Sequence, residues 1–135
     1  MELIPVNDTA KAPAAAFTGG VYVTPIKKAQ APSRLIAALV RFTPGARTNW
    51  HSHANGQTLH VTEGVGYVVN REGQVIRIRA GDTVWTPPGE EHWHGGGETT
   101  CMAHVAMLEG IDDGDGTTWL EPVTDEQYAA AQQKS

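Results

Sequence analysis

From Arg34 to Thr43 apolar residues occupy both parities, with Leu35, Ala37 and Leu39 on one side and Ile36, Ala38, Val40 and Phe42 on the other. A strand that is apolar on both faces is covered on both faces. One face fills the core, and the other is expected to meet the N-terminal arm or a second subunit, which predicts a homodimer. Residues 75–79 alternate with period two, and Val21 to Thr24 is a β-branched run inside a strand predicted over 17–26. Further strands are predicted at Gln57 to Thr62, at Val65 to Val69 after a break at Gly64 and Gly66, at Val84 to Thr86 and at Cys101 to Leu108. Turns fall at Pro44 and Gly45, at Asn70 to Gly73, at Ala80 to Asp82 and at the rigid Pro87 to Gly89. Lys27 to Ser33 and the acidic, glycine-rich Ile111 to Gly116 read as loops. Thr124, with Gln127 three residues later, makes a capping box that predicts a short helix over 124–132. Residues 1–16, rich in alanine, read as an arm rather than as core. The pattern carries no repeat and predicts one domain over 1–135.

Composition narrows the class. Fifteen glycines and eight prolines, with 40% hydrophobic residues, suit an all-β chain rich in turns. At 135 residues it can bury a core without a structural staple. A net charge of -5 with no basic patch argues against nucleic acid or an anionic membrane as partner. No apolar run approaches a membrane span, and the first residues have neither a basic nor an apolar leader segment. Cys101 is the single cysteine, so no intrachain disulfide can form; a cytoplasmic location is expected, with Cys101 acting as a small buried hydrophobe.

The chemistry gathers around two histidines. His51 and His53 stand at i and i+2, which on a strand puts both imidazoles on one face, where each can offer a ring nitrogen to one metal ion. The turn that follows can supply a third ligand. A two-residue turn at Asn55 and Gly56 would send Gln57 to the wrong side of the sheet. A three-residue loop, Ala54 to Gly56 with Gly56 at positive φ, instead pairs His53 with Gln57 and His51 with Leu59, which turns Gln57 inward.

The spacing G(x)5HxH(x)3Q(x)6G from Gly45 to Gly64, with G(x)5PxGxxH from Gly81 to His92, resembles the two signature motifs of the cupins, small jelly-roll barrels that usually hold a divalent metal. Carried over by position, the resemblance implies a single cupin barrel, a double-stranded β-helix with a short C-terminal helix, and metal ligands His51, His53, Gln57 and His92. Two departures from the common pattern stand out: Gln57 takes the place of a usual Glu, and Gly96 that of a frequent Asn. The wider wording, including PGARTNWHSH, GDTVW, PPGEEHWHG and a terminal VTDEQY, is similar to the single-domain cupins that include manganese-dependent hydroxynitrile lyases. That group shares Gln at the third ligand position, and the resemblance spans Phe17 to Tyr128.

A shell of neutral His and Gln leaves a dication's charge uncompensated. The ion is then a stronger Lewis acid and harder to oxidise than with a Glu ligand, which favours polarising a substrate oxygen over activating O2. Mn(II) is the expected ion, with Fe, Ni and Zn as alternatives. His94, two residues past His92 and therefore on the same face, is either a base or a fifth ligand. His104 shares a face with Met102, Ala106 and Leu108; alone it reads as a structural histidine, and the resemblance brings it into the pocket. His60 reads as outward, as do Trp50 and Trp93, and Asp82, Glu90 and Glu91 as solvated turn residues. The reaction that the resemblance implies is reversible cleavage of an aromatic cyanohydrin such as mandelonitrile to aldehyde and hydrogen cyanide. His94 and His104 are the candidate catalytic residues, and Ala38, Val40 and Leu108 the candidate pocket wall. The alternatives are a dioxygenase of the cupin type and a non-catalytic small-molecule-binding cupin.

Overall fold

The computed structural model describes residues 1–134. Its short N-terminal strands are β1 (Ala10–Lys11), β2 (Phe17–Thr18) and β3 (Val21–Lys27). There follow β4 (Leu35–Phe42), β5 (Arg47–Thr48), β6 (His51–His53) and the long β7 (Gln57–Asn70). The remainder are β8 (Val75–Arg79), β9 (Thr83–Thr86), β10 (His92–Gly96), β11 (Met102–Glu109) and β12 (Thr117–Trp119), closed by the helix α1 (Asp125–Lys134). All pairings are antiparallel, in the order β1-β3-β4-β11-β7-β10-β5-β2, with β9 and β8 also on β7 and β12 on β6. The sheet curls on itself, as the all-β expectation requires.

β7 does not break at Gly64 and Gly66 as the sequence pattern suggested. It is one 14-residue strand whose first half pairs with β9 and β11 and whose second half pairs with β8 and β10. Gly64 makes the crossing possible: its φ is +77°, and a Cβ there would lie 1.9 Å from the carbonyl oxygen of Cys101. A glycine in a strand here marks close backbone approach rather than an end.

Two apolar clusters hold the barrel. Inside it, Val21, Phe42, Leu59, Val61, Ile78 and Met102 are fully or almost fully buried, each such side chain stabilising the fold by about 1.5–3 kcal/mol. Outside it, Trp50, Tyr67 and Trp93 pack beneath α1 against Val123, Tyr128 and Ala131. The two tryptophans do face away from the barrel interior, and what covers them is this chain's own helix. The capping box forms: Thr124 N–H donates to Gln127 Oε1 at 2.9 Å, and Gln127 N–H donates to Thr124 Oγ1 at 3.1 Å. Tyr128 then donates its hydroxyl to Gly96 O at 2.7 Å, which ties α1 to β10.

Three expectations need correction. The arm is not wholly outside the core, because β1 extends the edge of β3 and Ala12 is buried in the inner cluster. Cys101 is exposed, immediately ahead of β11, where it is not covered by the core. The helix runs two residues past 132, to Lys134.

Candidate metal centre

Gly56 has φ +80°, and its N–H closes the turn on His53 O at 3.3 Å, so the loop has the expected conformation. The pairing expected on either side of it does not occur. His51 pairs with His92 and Trp119, His53 with Thr117, Gln57 with Thr86 and Leu108, and Leu59 with Val84 and Ala106. The turn is a corner between two walls of the barrel rather than a hairpin, so Gln57 approaches the histidines across the interior instead of along a ladder.

β6, β7 and β10 thereby bring His51, His53, Gln57 and His92 together, all nearly inaccessible to solvent. One ring nitrogen from each of the three histidines lies within 4.8 Å of the others. Gln57 Oε1 stands 3.4 Å from His92 Nε2. The far nitrogens are engaged. His51 Nδ1 lies 2.9 Å from Asn49 O and His92 Nδ1 3.0 Å from Glu90 O; a carbonyl can only accept, so both Nδ1 atoms carry the proton. His53 Nδ1 lies 3.0 Å from Thr117 Oγ1, while His53 Nε2 is buried with no hydrogen-bond partner. Protonation at Nδ1 leaves Nε2 lone pairs free to coordinate, the arrangement metal-ligating histidines use. The residues present fit a divalent cation.

Electrostatics agree. Burial, then repulsion from His92, holds His51 well below the usual histidine pKa. The same two causes lower His53 to about 4, and burial lowers His92. Neutral imidazoles near pH 7 are what a metal requires.

His94 and His104 face the same interior from β10 and β11. His104 Nε2 lies 3.0 Å from His94 Nδ1, and His94 Nε2 is buried without a partner. Burial pushes His94 well below its usual range, aided by His104, and lowers His104 to about 4. Phe42 packs against both rings, its centroid 5.7 Å from His94 and 5.4 Å from His104.

A cavity of about 200 Å³ opens onto these groups. Ala38, Val40 and Leu108 line it, with His51, His53, Gln57, His94 and His104 at its polar end. A separate cleft of about 240 Å³, on the β8 and β9 side, reaches only His92 of the cluster. His60 is exposed and bonded to Thr83. Asp82 accepts from Arg79 N–H in its turn, and Glu91 pairs with Arg71.

Sequence reasoning missed the contribution of β12. It lies along β6, placing Thr117 on His53 and Trp119 on His51, whose ring centroids are 4.7 Å apart. The β-branched and aromatic run of Thr117 to Trp119 was the available signal.

The cupin domain family matches residues 38–107. Over 118 residues the chain is 50% identical to the (R)-mandelonitrile lyase of Granulicella tundricola, an alignment covering 87% of this chain and 89% of that protein. Among solved structures, a cupin-like protein from Thermotoga maritima is 32% identical and superposes with a TM-score of 0.87 over 100% of both chains. A cupin 2 conserved barrel domain protein from Rhodopseudomonas palustris, 18% identical, superposes with a TM-score of 0.68 over 96% of this chain and 83% of its own, a likeness of fold alone.

Proposed function

This chain belongs to the cupin family, as its two motifs imply, and we propose that it is a metal-dependent lyase that reversibly cleaves an aromatic cyanohydrin of the mandelonitrile kind to an aldehyde and hydrogen cyanide. The observation that carries the reading is the pairing of a neutral ligand cluster with the uncharged, hydrogen-bonded His94 and His104 in one largely apolar cavity. The likeness to a mandelonitrile lyase over most of the chain supports the choice of substrate.

His51, His53 and His92 would hold the ion through Nε2, with Gln57 Oε1 as fourth donor. The bound ion, Mn(II) by preference for its tolerance of neutral N and O donors, would supply a Lewis acid that acidifies the substrate hydroxyl. Four uncharged donors do little to stabilise a higher oxidation state, which makes the dioxygenase the weaker reading.

The side chains do the rest. With His94 Nδ1–H donating to His104 Nε2, His94 Nε2 presents a lone pair to the cavity and takes the hydroxyl proton. The electrons of the O–H bond form the carbonyl, the carbon–carbon bond breaks, and cyanide leaves with the pair. Return of the proton from His94 to cyanide gives hydrogen cyanide and restores the base. His104 shares the charge while the proton is held. Ala38, Val40 and Leu108 exclude water from the reacting groups. The same reading includes a homodimer joined across the outer face of β4, where Leu35 is 48% exposed beside the half-buried Leu39.

The test is elemental analysis of the purified protein followed by assay of benzaldehyde and cyanide release from mandelonitrile. His94→Ala should retain metal and lose about 10²- to 10⁴-fold in cleavage rate. Metal-loaded wild type that releases neither product sinks the lyase reading, and an undiminished rate in His94→Ala removes His94 as the base.

A further inference from the structure

The cavity is sorted along its length. Its inner end is formed by the nearly inaccessible His51, His53, Gln57, His94 and His104. The mouth is walled by Trp119 and Phe17 on one side and by the aliphatic Val23, Ile36 and Ala38 on the other. Trp119 is fixed on two sides. Its ring centroid lies 4.7 Å from His51 at an interplanar angle of 34°, and 5.2 Å from Phe17 at 57°. Yet the residue remains 43% exposed, so a large aromatic surface is held in place without being used up. Its register is set by β12, which pairs Trp119 with His51.

A ligand that fits this gradient needs an oxygen function at the inner end and a flat apolar body one bond away. Aromatic rings recognise one another by offset or tilted stacking at centroid distances of roughly 4.5–7 Å, and Phe17 and Trp119 already adopt such a pair.

We propose that Trp119 and Phe17 form an aryl-recognition clamp at the mouth of the metal cavity, which selects aryl over alkyl carbinols and aldehydes. This deepens the lyase reading and rests on it for the reacting group, while recognition of the ring stands on the geometry alone. Trp119 and Phe17 decide which substrates bind; they take no proton and touch no reacting atom.

The experiment uses the metal-loaded full chain. The kcat/KM ratio for mandelonitrile over acetone cyanohydrin, which lacks the ring, is measured beside the calorimetric Kd of benzyl alcohol. Trp119→Leu keeps an apolar side chain and removes the π face, so the ratio should fall and the Kd of benzyl alcohol rise, each by about 3- to 10-fold. Trp119→Phe should recover most of both. Metal content is followed in every variant. Should Trp119→Leu lose metal through a disturbed β12, Phe17→Leu, which leaves that strand untouched, carries the same ratio and Kd tests. A ratio and a benzyl alcohol Kd both within twofold of wild type overturn the clamp. If wild type cleaves neither cyanohydrin, the lyase reading falls by itself and the benzyl alcohol Kd still decides the clamp.

Discussion

Of the three imidazoles in the cluster, two are oriented by backbone carbonyls, Asn49 O for His51 and Glu90 O for His92. The third, His53, depends on a side chain, Thr117 Oγ1 at 3.0 Å. Thr117→Val is therefore the substitution that removes one orienting contact and leaves every proposed ligand in place. Valine has nearly the shape of threonine and the same β-branched preference for a strand, so β12 should keep its register. With Nε2 turned to a metal, Nδ1 carries the proton, and what is lost is its acceptor. His53 is only 4% exposed, and a buried donor left unpaired costs about 1–3 kcal/mol. The imidazole can recover part of that by moving its proton to Nε2, the nitrogen a metal needs. Loss of such an orienting partner typically weakens metal binding about 10- to 100-fold, which corresponds to about 1.4–2.7 kcal/mol and matches the cost of the orphaned donor. Because Thr117 is half-buried, water can replace some of the contact, and the lower end of that range is expected. The assay is Mn(II) affinity by competition with a chelator, alongside melting temperature with and without metal. Thr118→Val, at the exposed neighbouring position on the opposite face, serves as control. If Thr117→Val binds Mn(II) within twofold of wild type while Thr118→Val does the same, the assignment of Nε2 as the coordinating atom through this contact is wrong.

Acid should destabilise the metal-free protein in a defined window. Burial lowers His104 from 6.5 to about 4, so between those values the unfolded chain binds the proton and the folded one does not. Stability is then complete above about pH 6.5, declines as pH falls through the window and levels off near 4, by up to about 3 kcal/mol from this residue. His51 and His94, pushed down by burial, act with the same sign. A urea midpoint that is flat or rises from pH 7.5 to pH 5 would contradict this. Separately, sedimentation at micromolar concentration should give a dimer that Leu39→Glu converts to monomer; a wild-type monomer removes the homodimer.

What was legible in the sequence was whatever depends on neighbours along the chain. Two histidines at i and i+2 share a face wherever their strand goes, and the same alternation put His94 on the side of His92 and Trp93 on the other. The capping box at Thr124 and Gln127 is likewise local, and it formed. The doubly apolar strand from Arg34 onward became β4, with Ala38 and Val40 on the cavity wall. Even the positive φ of Gly56 followed from the need to turn Gln57 inward. The partners of that turn did not follow, because a corner between two sheets and a hairpin within one place the same residues inward, and only the distant pairing of β6 and β7 distinguishes them. Gly64 illustrates the same limit: a glycine reads as a break until the carbonyl it must admit, that of Cys101, is known.

β12 is the furthest from legibility and the most consequential for the site. Its three residues follow a loop of glycines and aspartates, and their alternation is too brief to mark a strand without a partner. The partner is β6, and the contact from Thr117 to His53 spans 64 positions of sequence. Once that register is fixed, alternation does two jobs in one step. Thr117 and Trp119 fall on the same face, so the residue that orients a ligand imidazole and the residue that walls the cavity mouth are placed by a single set of backbone hydrogen bonds. A shift of one residue would withdraw both together and bring Thr118 inward. On the proposed reading, affinity for the metal and preference for an aromatic ring are coupled through β12, and a perturbation of the loop at Asp113 to Gly116 should move both properties in the same direction.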